Sequence, residues 1–216
     1  MNKKILRLNK LFNYIFGEKF YKKLNFNWSK YPGRVEIIQK IIDLKNYKTY
    51  LEIGCDDNFV FNQIKLKDKI GVDPYSGGNL RMSSDEFFKD NKKKFDCIFI
   101  DGLHYYYQVR KDIINSLNSL NDNGVVLVHD CLPKNYFQQA IPRSQMVWTG
   151  DVWRAIVEMR TFKNIDTCVC FADMGIGIII KRYNKKILQL TNTNFRKLKF
   201  RYYYKNYNFL MNIINF

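Results

Sequence analysis

FDCIFIDGLHYYYQVRKDIINSLNSLNDNGVVLVHDC, residues Phe95 to Cys131, carries the reading of the fold. Its two ends, FDCIFIDG and VVLVHDC, are short continuous apolar runs of the kind buried on both faces of a sheet. Between them YYYQVRKDIINSLNSL repeats apolar residues with a 3.6-residue period, which predicts a helix of about four turns. NDNG supplies a turn before the second strand. Two buried strands joined by a helix form a parallel crossover unit. The chain has only two histidines, and both stand in this segment: His104 follows Asp101 by three residues, and His129 directly precedes Asp130.

The same alternation extends outward. TYLEIGC from Thr49 and KIGVDP from Lys69 read as strands, with FVFNQIKL as the helix between them and SSDEFFKDN as a helix capped by Ser83 or Ser84. GDVWRAIVEMR is helical, and DTCVCFAD followed by GIGIIIKR predicts a closing antiparallel hairpin. No strong strand lies between Asp73 and Phe95, so one there must be short. The predicted fold is α/β, a Rossmann-like doubly wound, mostly parallel sheet with an antiparallel edge strand over residues 49–182. Residues 1–48 form a basic helical extension, and residues 183–216 a basic aromatic one expected to pack on the domain as helix.

With 216 residues, 46% of them hydrophobic, the chain is long enough for one full core. Its net charge of +16 is unevenly placed. Residues 1–48 hold 12 basic and 3 acidic side chains, residues 181–216 hold 9 and none, and residues 49–180 hold 15 and 17. A basic groove across the centre, as a nucleic-acid enzyme needs, is therefore not supported. The abundance of Lys, Asn and Ile also fits an AT-rich coding sequence. No apolar run approaches the roughly 18 residues of a membrane span, and Lys and Asn interrupt the N-terminus too often for a secretory signal. Cys55, Cys97, Cys131, Cys168 and Cys170 lack zinc-type spacing and read as reduced thiols of a cytoplasmic protein. Ile5, Leu8, Leu11, Phe12, Ile15, Phe16 and Phe20 recur at helical spacing among Lys and Asn. Such a helix docks on its own domain or lies on an anionic inner-membrane surface. The flanking helices are also where a homodimer would form.

Ligands of an open α/β sheet sit beyond the carboxyl ends of its strands. Four predicted strands end in Glu52-Ile53-Gly54, Asp73-Pro74, Asp101-Gly102-Leu103-His104 and His129-Asp130-Cys131. One Asp after a strand is usually a turn former or a helix cap. Four such ends on one rim instead point to a cationic or hydroxyl-rich ligand. A nicotinamide fingerprint needs GxGxxG, whereas LEIGCDDNF keeps only Gly54 and places Cys55, Asp56, Asp57 and Asn58 in the loop. Two aspartates there would repel a diphosphate. A phosphate-free ligand carrying a sulfonium and an ammonium group suits the loop better, with Asp73, about 20 residues beyond Glu52, accepting ribose hydroxyls.

YLEIGC, IGVDP, FIDGLH and GVVLVHDC, in that order over roughly residues 48–182, resemble the class I S-adenosylmethionine-dependent methyltransferases. IDGLH paired with HDC is similar to their metal-dependent O-methyltransferase branch, which includes macrocin-type sugar and catechol O-methyltransferases. The resemblance implies S-adenosylmethionine held by Glu52, Gly54, Cys55, Asp73, Ser83, Ser84 and Asp101. It also implies a divalent metal, Mg2+ or Mn2+, on Asp101, His129 and Asp130, and His104 as general base. A metal lowers the pKa of a bound hydroxyl, and a neutral imidazole takes its proton. His129 departs from the carboxylate usual at its position, which leaves the identity of the metal open. The loop IPRSQMVWTGDVWRA offers Arg143, Trp148 and Asp151 to the acceptor, a sugar, glycan or similar small molecule. The plain alternative makes Asp151 a helix cap and Trp153 a core residue. Two other readings compete: an RNA or other nucleic-acid methyltransferase, resting on the Tyr-rich basic tail, and a non-catalytic module of the same fold, resting on the glycine-poor loop.

Overall fold

Strands Thr49–Ile53 (β1), Asp68–Val72 (β2), Phe95–Ile100 (β3) and Leu120–Val128 (β4) run parallel, in the spatial order β2-β1-β3-β4. They belong to a computed structural model that describes residues 2–215. Leu51, Ile53, Ile98, Ile100, Val126 and Val128 point into one core, while Tyr50, Cys97, Phe99, Val125 and Leu127 point into the other. This is the two-residue period of a strand with both faces covered, and it explains why the runs read as continuously apolar. The helices, in chain order, are Lys3–Phe16 (α1), Arg34–Lys45 (α2), Phe59–Gln63 (α3), Ser84–Asp90 (α4), Tyr106–Asn118 (α5), Tyr136–Gln139 (α6) and Val152–Met159 (α7). Apolar residues of α2 and α3 cover the second face, and those of α4, α5 and α7 the first.

Four local features differ from the sequence expectation. Helix α3 stops at Gln63 because Ile64 turns extended, and Lys69 Nζ takes up the freed carbonyls of Phe61 and Ile64 at 2.6 and 2.9 Å. The NDNG segment lies inside β4. Pairing slips between Phe95 and Cys97, and Asn123 adopts φ 62°, so a bulge absorbs the turn residues without ending the strand. The short strand after Asp73 shrinks to a single parallel bridge between Val72 and Leu80. The hairpin of Asp166–Cys170 (β5) and Ile176–Ile180 (β6) forms as expected, but antiparallel β6 inserts between β4 and β5. The sheet edge is a two-residue strand, Ile213–Ile214, which lies parallel to β5 and covers its otherwise bare side.

That last strand comes from the C-terminal extension. The preceding helix, Phe200–Met211 (α8), buries Phe200, Tyr203, Leu210 and Met211 in the first core. Glu18 accepts from the free backbone N–H groups of Phe200 and Arg201 at 2.6 and 2.7 Å, so the N-terminal extension caps the C-terminal helix. Among the described residues no helix is long and apolar enough to cross a membrane.

Candidate active site

The carboxyl ends of β1, β3 and β4 meet where the chain reverses its order across the sheet, the usual place for a ligand. Gly54 opens the loop after β1 with φ 85°. A Cβ there would lie 2.4 Å from Gly102 Cα and 2.6 Å from the Asp101 carbonyl, so glycine alone lets the two loops touch. Asp56 and Asn58 adopt φ 44° and 66°. These are left-handed conformations that Asp and Asn tolerate best after glycine, which explains how the loop turns with a single glycine.

Asp73 locks this loop in place. Its Oδ2 accepts from Cys55 and Asp56 N–H, both at 3.1 Å, and its Oδ1 from Tyr75 and Ser76 N–H at 2.8 and 2.9 Å. Burial raises the pKa of this carboxyl, but the four backbone donors more than offset that and hold it below the usual range. Four donors fill the acceptor capacity of a carboxylate. Asp73 therefore serves the loop rather than standing free for ribose hydroxyls as the resemblance implied.

Beneath the loops lies a cavity of about 320 Å³ whose lining includes Glu52, Gly54, Cys55, Asp101, Asp130 and Trp148. Glu52 is buried and accepts from Tyr50 Oη at 2.6 Å; burial pushes its carboxyl up to about 7. A ligand ammonium beside it would restore the charged form.

His104 also lines this cavity. Its Nδ1 lies 3.0 Å from Asp130 Oδ2 and 3.2 Å from the Trp148 carbonyl. The carbonyl can only accept, so Nδ1 carries the proton. Nε2 faces Asp101 Oδ1 at 3.5 Å. The Trp148 indole stacks on the imidazole, with centroids 5.4 Å apart and planes 10° from parallel. Asp130 reaches the ring through a left-handed backbone at φ 62°. Gly150, at φ 57°, lets the next loop close on His104, whose carbonyl a Cβ would meet at 1.8 Å. Burial lowers the pKa of the imidazole, but hydrogen bonds to Asp101 and Asp130 outweigh it and hold the ring up to about 10. The two carboxylates thus favour the protonated form of the ring.

His129 is placed differently from the expected metal ligand. Its Nδ1 lies 3.1 Å from Asp101 Oδ1 and its Nε2 3.0 Å from the Asp173 carbonyl, so both ring nitrogens already face acceptors. Burial lowers its pKa, but the charges of Asp101 and Asp130 raise it well above the usual value. The atoms that do converge belong to Asp101, His104 and Asp130, all within 4.8 Å of one another. Asp130 Oδ1 is buried without a hydrogen-bond partner, which fits a cation at this spot.

Sequence reasoning missed two members of the site. Arg34, in the first turn of α2, sets its Nε 3.7 Å from Asp101 Oδ2 and its Nη1 3.2 Å from Asp173 Oδ2. Asp173, in the β5–β6 turn, is held down to about 2: burial raises it, but the hydrogen bond and charge of His129 prevail. Asp101, Asp130 and Asp173 therefore face Arg34, His104 and His129, three carboxyl groups against one guanidinium and two imidazoles. Only the motif PGR, a turn opening a helix, could have hinted at Arg34.

The remaining predicted residues serve local structure. Ser83 caps α4, accepting from Glu86 N–H at 3.2 Å while Glu86 accepts from Ser83 N–H at 2.7 Å. Ser84 Oγ accepts from Gln108 Nε2 at 3.2 Å, and neither serine lines the cavity. Asp151 is buried and accepts from Tyr106 N–H and Arg154 Nη1, both at 2.7 Å, so it caps α5 and does not line the cavity. Arg143 braces its own loop through the Gln145 carbonyl at 3.2 Å and lies over the Trp148 ring. From this loop only Met146, Val147 and Trp148 line the cavity. Trp153 is fully buried, as its plain reading required.

Residues 62–131 match the family model of a methyltransferase domain. No curated protein matches the chain. Among solved structures, the SAH-bound methyltransferase PaMTH1 of Podospora anserina superposes with a TM-score of 0.55 at 14% identity, over 71% of this chain and 81% of its own. An O-methyltransferase from Bacillus cereus in complex with SAH gives 0.51 at 11% identity, over 83% and 90%. The Streptomyces achromogenes O-methyltransferase TomG, in complex with SAM, gives 0.50 at 10% identity, over 84% and 99%. The chain thus has the class I methyltransferase fold, and its residues 62–131 resemble a methyltransferase domain.

Proposed function

We propose that the protein is an O-methyltransferase that moves the methyl group of S-adenosylmethionine to a hydroxyl of a sugar or similar small acceptor, with His104 as general base. The observation that carries this reading is the His104–Asp130 pair at the strand ends: Nδ1–H is held by Asp130 and the Trp148 carbonyl, and Nε2 is left to take a proton beside Asp101. The acidic lining favours a cationic cofactor, and Glu52 in this lining would pair with its ammonium group. A sulfonium entering beside the ring lowers the pKa of His104, so its Nε2 proton passes to solvent and the neutral imidazole becomes the base. The acceptor oxygen then attacks the methyl carbon in line as its proton passes to Nε2; the carbon–sulfur bond breaks onto sulfur. The sulfonium charge disappears as the imidazolium charge forms, so the step moves positive charge without creating any.

Asp101, His104 and Asp130 also fit a divalent cation, Mg2+ or Mn2+, which supplies polarisation of the acceptor oxygen when bound. A cation held through His104 removes that ring as base, so the two arrangements exclude each other. Methyl transfer from labelled cofactor to a panel of sugars and small alcohols, with and without a chelator, separates them. The base reading expects chelator-resistant turnover and a His104→Gln variant whose kcat falls by about 10²–10⁴ while cofactor affinity is kept. Undiminished turnover in that variant would remove His104 from the chemistry.

A further inference from the structure

The N-terminal helix is inside out. An amphipathic helix ordinarily buries its apolar stripe against the domain and shows its polar face to water. Helix α1 buries Leu6 and Asn13 instead. It is tied down through amides: Asn9 Nδ2 donates to the Arg143 carbonyl and Asn13 Nδ2 to the Pro142 carbonyl, both at 2.8 Å. Ile5, Leu8, Leu11, Phe12, Ile15 and Phe16 are left between 48% and 73% exposed. By the helical period they form one contiguous stripe, wider than roughly 100°. A stripe of this size on a monomer marks a surface that something covers.

The charge next to the stripe decides what covers it. Lys3, Lys4, Arg7 and Lys10 lie on the same helix, which contains no acidic residue, and Lys22 and Lys23 follow shortly after. A second copy of α1 would bring no counter-charge to these four cations, since the helix has no acidic residue. A surface that is apolar inside and anionic at its rim satisfies both faces at once. We infer that α1 is a docking helix for an anionic lipid bilayer, lying in the interface with Leu8, Phe12 and Phe16 among the acyl chains and its Lys and Arg at the headgroups. Asn9 and Asn13 also tie α1 to the loop whose Met146 and Val147 line the cavity, so docking would hold that loop near the lipid surface. This inference is independent of what the site transfers.

The test is co-sedimentation of the full chain with vesicles of phosphatidylcholine alone or with about one-third phosphatidylglycerol, at low and high salt. The expected result is binding at least about tenfold stronger to the anionic vesicles and weakened by salt. A Leu8→Glu/Phe12→Glu variant, altered only at exposed positions, loses that binding. A Lys3→Gln/Lys4→Gln/Arg7→Gln/Lys10→Gln variant retains a weaker binding with a smaller salt dependence. Three results overturn the inference: no vesicle binding by the wild type, unchanged binding by the Leu8/Phe12 variant, or an α1-dependent dimer in sedimentation equilibrium that binds no vesicles.

Discussion

Asp112 shows how a single buried carboxyl couples the fold to pH. It lies in α5, is almost fully buried, and accepts from Gln108 Nε2 at 3.1 Å. Burial pushes its carboxyl up to about 6. A carboxyl raised above its unfolded value of about 3.9 contributes its full stability below that value and loses it as pH rises through the folded one. Ionised Asp112 therefore costs on the order of 2 kcal/mol at pH 8. Asp112→Asn is expected to gain stability relative to the wild type by about that amount between pH 4 and pH 8; urea unfolding of both proteins at the two values checks it. A constant difference would contradict the assignment. At this scale the sequence was legible where strand ends carry chemistry. Glu52, Asp101, His104 and Asp130 all converge on one cavity because each sits at the carboxyl end of a parallel strand or just beyond it. Arg34 and Asp173 were not legible, since an N-terminal helix and a distant hairpin turn meet only after the sheet forms. Asp73, Ser83 and Asp151 are polar for reasons that a one-dimensional reading cannot rank: backbone N–H groups claim them first.

At the level of elements, the loop after β1 depends on one carboxylate in place of several glycines. Asp73→Ala would leave the N–H groups of Cys55, Asp56, Tyr75 and Ser76 without their acceptor. Part of that loss is made good by water, because Asp56 and Asp57 beside Cys55 are exposed. The substitution is expected to destabilise the protein by about 2 kcal/mol and to weaken cofactor binding by loosening Gly54 against Gly102. Equilibrium denaturation measures the first effect and calorimetry the second; wild-type values for both would show that the loop holds itself. The strands and long helices were readable because their burial patterns repeat over several residues. The bulge in β4, the early stop of α3 and the insertion of β6 between β4 and β5 were not. Each depends on a partner elsewhere: Asn121 on Asp96, the α3 carbonyls on Lys69, and the β5 edge on a strand more than forty residues later.

Across the whole molecule, charge and packing divide the labour. The excess positive charge lies on the two extensions, while the central residues that build the cavity are slightly acidic. The extensions are also tied into the core: Phe20 packs on Phe200 and Tyr204, Phe26 on Tyr207, and Arg160 donates to the Leu210 carbonyl at 3.0 Å. Their composition revealed their charge and their apolar content but not the direction in which α1 faces, which amide contacts with residues 142 and 143 determine. The cluster of Asp101, Asp130 and Asp173 with Arg34, His104 and His129 ties the N-terminal extension and the β5–β6 turn to the strand ends. The most direct measurement is calorimetric titration of S-adenosylhomocysteine into the purified protein, with NAD as control. Micromolar binding of the former and none of the latter is the expected result. No binding of S-adenosylhomocysteine would contradict the cofactor assignment and leave a methyltransferase fold that has lost its cofactor.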